Sequence, residues 1–162
     1  MIAMRETTDR LLQAESWDVP HAFAAITETV WWVTMVDATL VRYRPDAYGS
    51  VLASFGEGRA SIEATFSGLR FVRNRMGYLA DHCDFIRPEV TDADLAKGRV
   101  AEWTWRPVRK PGLASLPVRG QEWELARFRD YRSDLAGHTI EDTFSRAVPF
   151  LMSAAGTSVS RA

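Results

Sequence analysis

The residues most able to do chemistry lie in one short stretch, LRFVRNRMGYLADHCDF, which spans residues 69–85. A guanidinium binds a phosphate through two parallel hydrogen bonds, and an imidazole titrates near neutral pH. On a helix that turns about 100° per residue, Arg75 and His82 lie within about 20° of each other, two turns apart. Such a pair could cleave RNA without a metal ion, with His82 as the base on the ribose 2′-hydroxyl and Arg75 stabilising the charge that develops at phosphorus.

The same helical projection divides the polar residues of this stretch between two faces. Arg75, Tyr78 and His82 project away from the apolar stripe, with Asn74 at the margin, whereas Arg73 lies near the apolar side. Tyr78, Asn74 and Arg73 are therefore candidates for substrate binding beside the catalytic pair. The alternative interpretation is an ordinary solvated helix face, because such faces often carry Arg, Asn, Tyr and His.

A second candidate involves a carboxylate in the helix that precedes this stretch. Asp37 is spaced with Val30, Val33 and Leu40 on the apolar stripe of that helix. A buried carboxylate is tolerated only when a cation or hydrogen-bond donors compensate it. We therefore predict an interhelical ion pair between Asp37 and Arg73, with a solvated edge position for Asp37 as the alternative.

The segment LRFVRNRMGYLADH resembles the signature of the HEPN superfamily, whose helical-bundle proteins include many RNA-cleaving toxins and antiphage effectors. That signature is an Arg and a following His separated by four to six intervening residues, usually with a polar residue directly after the Arg. Arg75 and His82 match the six-residue spacing, but Met76 takes the polar position. Arg73 and Asn74 supply the dipeptide, but His82 is then too distant.

The resemblance covers roughly residues 20–85 and implies a homodimer in which two motif helices meet across a cleft that contacts RNA. It implies a metal-independent endoribonuclease with no cofactor, in which Arg75 and His82 are catalytic. Many members of the superfamily have lost catalysis and act as binding or neutralising partners. The second interpretation is therefore a dimeric, non-catalytic helical protein that binds a protein partner or a small ligand.

Helical periodicity dominates the segments that must position these residues. It predicts two long antiparallel helices and two later ones, at residues 21–44, 59–82, 121–137 and 138–154. Before the last two helices, RVAEWTWRPV places Trp103 and Trp105 on one face of a short extended arm. The predicted fold class is all-α, an up-and-down helical bundle with this tryptophan-containing arm.

Large apolar residues broaden two of the helical stripes. Trp31, Trp32 and Met35 widen the stripe of the first long helix, so we predict that it is central and buried on most of its circumference. The helix at residues 121–137 is predicted to direct four side chains inward: Trp123, Phe128, Tyr131 and Leu135.

Composition limits the remaining possibilities. A chain of 162 residues fits one helical domain, which we place at residues 1–155, with residues 156–162 as a flexible C-terminal tail. The formal net charge of −1 gives no global field toward nucleic acid or membrane. The single cysteine excludes a disulfide framework, and the three histidines lack metal-ligand spacing, so we expect no metal.

The chain carries neither an apolar leader nor an apolar run of about 18 residues, so we expect a cytoplasmic protein with no membrane contact. The basic residues are almost all arginine, a bias typical of GC-rich bacterial genomes. The partners expected are therefore a second copy of the chain, RNA or another protein.

Overall fold

A computed structural model describes residues 1–12, 19–78, 85–89, 102–108 and 120–156. For residues 12, 19–21, 77 and 78 it describes the backbone alone. The C-terminal residues 157–162, and with them most of the predicted tail, lie outside the described residues. Among the described helices, none combines the length and apolarity that a membrane span requires.

Helices make up most of the described chain, which confirms the all-α prediction. The described residues form six α-helices, α1 (Ile2–Leu12), α2 (Val19–Tyr43), α3 (Pro45–Ser54), α4 (Arg59–Tyr78), α5 (Gln121–Asp130) and α6 (Ile140–Ala154). A 3₁₀ turn at Gly56–Gly58 precedes α4, and a π-helical segment at Tyr131–Leu135 continues α5. Two short strands, β1 (Ile86–Glu89) and β2 (Glu102–Trp105), pair antiparallel.

The core lies where α2, α4 and α6 pack together. Ile26 of α2, Phe66 of α4 and Phe150 of α6 are each at most 1% exposed. Phe150 also packs its ring edge-on against Tyr48 of α3, with ring centroids 5.0 Å apart. Full burial of one such apolar side chain stabilises the folded state by about 1.5–3 kcal/mol, so this cluster fixes how α4 sits against α2 and α6.

The opposite side of α4 is covered by α5 and the π-helical segment. A Cβ atom on Gly68 would lie 2.9 Å from Leu135 Cδ1 and 3.1 Å from Tyr131 Cα, so only glycine permits this approach without a shift. The π-helical turn closes with a 2.8 Å hydrogen bond from the Ala136 amide to the Tyr131 carbonyl. Tyr131 and Leu135 are fully buried there, and α4 is consequently enclosed on two sides.

The predicted tryptophan arm is present as β2 and packs on the bundle. Trp105 is fully buried, and its indole N–H donates to Thr143 Oγ1 of α6 at 2.8 Å. The Trp105 amide donates to the His138 carbonyl at 3.0 Å, which anchors the strand to the start of α6. The partner strand β1, in which Ile86 pairs with Trp105, was not predicted from the sequence.

Several large apolar side chains lie at the surface, contrary to the sequence prediction. Trp31 is 54% exposed, Trp32 37% and Met35 40%, and Trp123 of α5 is 71% exposed. The stripe of α2 from Ile26 to Leu40 already fills its contact with α4 and α6, so the side of α2 beyond it faces solvent. Phe128, in contrast, is buried as predicted.

Candidate functional site

The carboxylate of Asp37 is fully buried on α2 and receives a hydrogen bond on each oxygen. Arg70 of α4 donates from Nη2 to Oδ2 and forms an ion pair there, and the Tyr48 hydroxyl donates to Oδ1 at 2.8 Å. The predicted pairing with Arg73 is therefore corrected to Arg70, one turn earlier. Both arginines project toward the same side of α4, so helical spacing alone does not choose between them, and the antiparallel register of α2 against α4 does.

Burial and hydrogen bonding have opposite effects on the pKa of Asp37. Burial raises the pKa of Asp37 above its ordinary value, while Arg70 and the Tyr48 hydroxyl act to lower it. The pKa of Tyr48 is raised, first by burial and then by the adjacent Asp37 carboxylate. Tyr48 therefore stays a hydrogen-bond donor across the physiological range.

Arg75 does not lie on a solvent-facing side of α4, contrary to the sequence prediction. It is 3% exposed and lies between the Phe71 ring, whose centroid is 5.6 Å from its Cζ, and the Glu124 carboxylate of α5. Its Nε is 3.6 Å from Glu124 Oε1. The helical projection placed Arg75 correctly away from the α2 side, but α5 covers that second side.

The Arg75–Glu124 contact is buried but poorly hydrogen-bonded. Arg75 Nε, Arg75 Nη2 and Glu124 Oε1 are buried without a hydrogen-bond partner. Glu124 Oε2 accepts a long hydrogen bond from Asn74 Nδ2 at 3.4 Å and lies 3.7 Å from Arg127 Nη1. Asn74, predicted to bind substrate, thus links α4 to α5 inside the protein.

Arg73 lies between these two charged groups and is half-buried. Its Nη2 donates to Asn74 Oδ1 at 3.2 Å. Burial lowers the pKa of Arg73, and the positive charges of Arg127 and Arg70 lower it further. Arg73 also lines a cavity of ≈ 120 Å³ between α2 and α4, together with Thr27, Val30, Trp31 and Met76.

The other two residues of the predicted catalytic face, Tyr78 and His82, have side chains outside the part that the structure describes. Tyr78 is the last residue of α4, and its side chain is outside the described part, as is the whole of His82. Among the residues that are described, no group of three or more His, Cys, Asp or Glu side chains could hold a metal ion.

A surface that the sequence prediction missed lies along α2. Trp31, Trp32, Met35 and Tyr43, here named the α2 apolar face, are 37–70% exposed. At about 100° per residue, Met35 projects about 180° from the centre of the buried stripe. The signal was available in the sequence: adjacent tryptophans project about 100° apart, so both cannot join a stripe already filled by Val30 and Val33.

No family model, curated protein or solved structure matches the chain. Three features of the described residues are candidate functional sites: the closed Asp37 network, the buried Arg75–Glu124 pair beside Arg73, and the α2 apolar face.

Proposed function

We propose that this chain is a non-catalytic, HEPN-like helical protein that pairs with a second copy of itself through the α2 apolar face. The observation that carries the proposal is the exposure of two adjacent tryptophans, Trp31 at 54% and Trp32 at 37%, beside Met35 at 40%. The proposal places the protein in the cytoplasm, where its single thiol stays reduced.

The composition of this face fits the centre of a protein interface. Aromatic residues, methionine and arginine are enriched in such centres, and contiguous exposed apolar patches often mark interaction sites. Arg42 adds a cation, with its Cζ 5.3 Å from the centroid of the Tyr43 ring. The face runs along one helix from residue 31 to residue 43, so a two-fold axis near its middle would bring the same residues of both copies together.

Two features support a role without catalysis. Arg75 would have to leave Glu124 and the Phe71 ring to reach a phosphate, and leaving a buried carboxylate unpaired is costly. Counted from the Arg73–Asn74 dipeptide, the positions at which the HEPN-like signature allows its His are residues 78–80, which are Tyr, Leu and Ala. A phenol with an ordinary pKa of about 10 holds its proton at neutral pH and cannot replace an imidazole base.

Self-association is tested by the mass of the protein in solution. Light scattering after size exclusion should give wild-type protein twice its chain mass of 18.3 kDa. The double variant Trp31→Glu/Met35→Glu places charges in the interface and should run as a folded monomer. Trp123→Glu is the matched control, because Trp123 is an exposed tryptophan on α5, and it should stay dimeric. A monomeric wild type, or a dimeric double variant, would overturn the proposal.

Catalysis is tested separately with single-stranded RNA and no added metal. We expect neither wild type nor His82→Ala to cleave RNA, and neither to arrest growth when expressed in a bacterial host. Cleavage by wild type that is lost in His82→Ala would establish the ribonuclease alternative and remove the non-catalytic assignment.

A further inference from the structure

The cavity between α2 and α4 has the dimensions of a site for a small ligand. Its volume is ≈ 120 Å³, and its described walls are the side chains of Thr27, Val30, Trp31, Arg73 and Met76. An apolar cavity of about 150 Å³ holds a benzene molecule, so this smaller, partly open cavity would enclose a short aliphatic chain or most of a single ring and leave the remainder of the ligand at its opening. Apart from Arg73 and the Thr27 hydroxyl, these walls are apolar. The Thr27 hydroxyl already donates to the Phe23 carbonyl at 2.8 Å.

Arg73 brings a charge to this cavity that no described carboxylate neutralises directly. Its side-chain hydrogen bond is to the neutral amide oxygen of Asn74 at 3.2 Å. Within the described part of the chain, no Asp or Glu lies within ion-pairing distance of Arg73, whereas Arg70 and Arg75 each have a carboxylate partner. A half-buried guanidinium without a counter-ion favours an anion.

The carboxylates closest along these helices are committed to other arginines. Asp37 is bound to Arg70. Glu28, one turn before Trp31 on α2, lies 2.9 Å from Arg10 of α1. On α5, Glu124 is shared by Arg75 and Arg127.

The surrounding cations strengthen the case for an anionic ligand. The pKa of Arg73 is lowered first by burial and then by the positive charges of Arg127 and Arg70, and the Asp37 carboxylate offsets them only in part. A bound anion would offset each of these effects, because it pairs with the guanidinium and replaces the water that burial removed.

We propose that this cavity binds a small organic carboxylate, either a monocyclic aromatic acid or a short aliphatic acid. The carboxylate is held by the Arg73 guanidinium, and the apolar part packs against Val30, Trp31 and Met76. Inorganic phosphate fits poorly, because the apolar walls offer no donors to its remaining oxygens. The site lies within one protomer. Trp31 belongs both to its wall and to the α2 apolar face, but ligand binding does not require the α2 pairing proposed above.

Titration calorimetry with benzoate, benzyl alcohol and inorganic phosphate tests the charge requirement. Wild-type protein should bind benzoate at least about tenfold more tightly than benzyl alcohol or phosphate, since tenfold corresponds to about 1.4 kcal/mol. Benzyl alcohol keeps the ring and removes the charge, whereas phosphate keeps the charge and removes the ring. Equal binding of benzoate and benzyl alcohol, tighter binding of phosphate, or no binding of either benzoate or butyrate, a short aliphatic acid, would each overturn the proposal.

Variants then locate the site. Arg73→Met should abolish benzoate binding, and Arg73→Lys should retain part of it, whereas Arg129→Met, which removes an exposed arginine of α5, should bind as wild type does. Thr27→Phe fills the half-buried rim of the cavity and leaves Arg73 in place, so it should also abolish benzoate binding. Because this variant keeps Arg73, its loss of binding would come from blocking the cavity and not from misfolding caused by a change at Arg73. Benzoate binding that survives in folded Arg73→Met would overturn the proposal. A monomeric wild type that binds benzoate would support this site and overturn the α2 pairing.

Discussion

The two buried carboxylates that face α4 are held in opposite ways. Asp37, on the α2 side, receives hydrogen bonds from Arg70 and from the Tyr48 hydroxyl, so both of its oxygens are satisfied. Glu124, on the α5 side, approaches Arg75 only to 3.6 Å, and its Oε1 has no hydrogen-bond partner. Both carboxylates are less than 10% exposed, so burial does not account for the difference.

This difference indicates that the Asp37–Arg70 contact stabilises the fold, whereas the Arg75–Glu124 contact adds little to its stability. A buried ion pair stabilises a protein only when additional hydrogen bonds offset the loss of hydration, and pairs without them can often be replaced by apolar residues at no cost. By this criterion the Asp37–Arg70 contact is the better compensated of the two and fixes the packing of α2 on α4, although burial still raises the pKa of Asp37. The Arg75–Glu124 pair holds α5 against α4 with unmet donors and acceptors, which is the weaker arrangement.

The largest effect is expected from Arg70→Met. It leaves the Asp37 carboxylate buried with only the Tyr48 hydroxyl, and loss of one partner of a buried pair costs about 3–5 kcal/mol in the free energy of unfolding. Urea denaturation followed by circular dichroism measures this loss. Arg59→Met on the same helix is the control, because Arg59 pairs with Glu63 at the surface and should cost at most about 1 kcal/mol. Equal losses in the two variants would show that the Asp37 network is not structural.

The second largest loss of unfolding free energy is expected from Glu124→Leu on the α5 side of α4, and most of it should disappear when Arg75 is replaced as well. Glu124→Leu alone strands the buried Arg75 guanidinium and should cost about 3 kcal/mol, whereas Arg75→Met/Glu124→Leu should unfold within about 1 kcal/mol of wild type. The urea midpoints of both variants give this comparison. A double variant as unstable as the single one would mean that the pair stabilises the fold despite its poor geometry, and the contrast with Asp37 would disappear.

The helical periodicity of the sequence predicts much of the architecture, but it predicts the charged contacts only in part. The helical spacing around Val33 and Leu40 predicted α2 and the inward direction of Asp37, because both depend on positions within one helix. The choice of Arg70 over Arg73 depends on the register between two helices. That register is set by the packing of distant residues such as Phe66 and Phe150, which no local pattern records.

The candidate site shows that local patterns also fail to predict how many elements pack around one helix. The projection separated Arg75 from the α2 side of α4 correctly, but it could not foresee that α5, about fifty residues later in the chain, covers Arg75 with Glu124. Trp31 and Trp123 illustrate the opposite error. Their size and apolarity predicted burial, but other residues already filled the contact area of their helices, so both indoles are exposed. Which face of a helix is apolar can be predicted locally, whereas the number of faces covered depends on the whole fold.

A third, smaller effect is expected from Tyr48→Phe. The variant removes the hydroxyl that donates to Asp37 Oδ1 and keeps the ring that packs on Phe150. Because Arg70 still compensates the charge, we expect a loss of about 1.5 kcal/mol, at the low end for a hydrogen bond to a charged group. Thermal and urea unfolding measure it. A neutral result would mean that water replaces the hydroxyl and that the network is less closed than its geometry indicates.

The smallest and most specific effect is the pH dependence of the Arg70→Met defect. Burial raises the folded-state pKa of Asp37 above the ordinary 3.8, and loss of Arg70 removes the main influence that lowers it. The folded state of the variant therefore holds the Asp37 proton more tightly than the unfolded chain does, so its stability falls as pH rises from 3.8 to the raised pKa and is regained as pH falls. The gap in unfolding free energy between Arg70→Met and wild type should consequently narrow from neutral to mildly acidic pH, while the gap for Arg59→Met stays constant. A gap that widens on acidification would mean that Asp37 is not the group left uncompensated, and the assignment of Arg70 as its counter-ion would have to be abandoned.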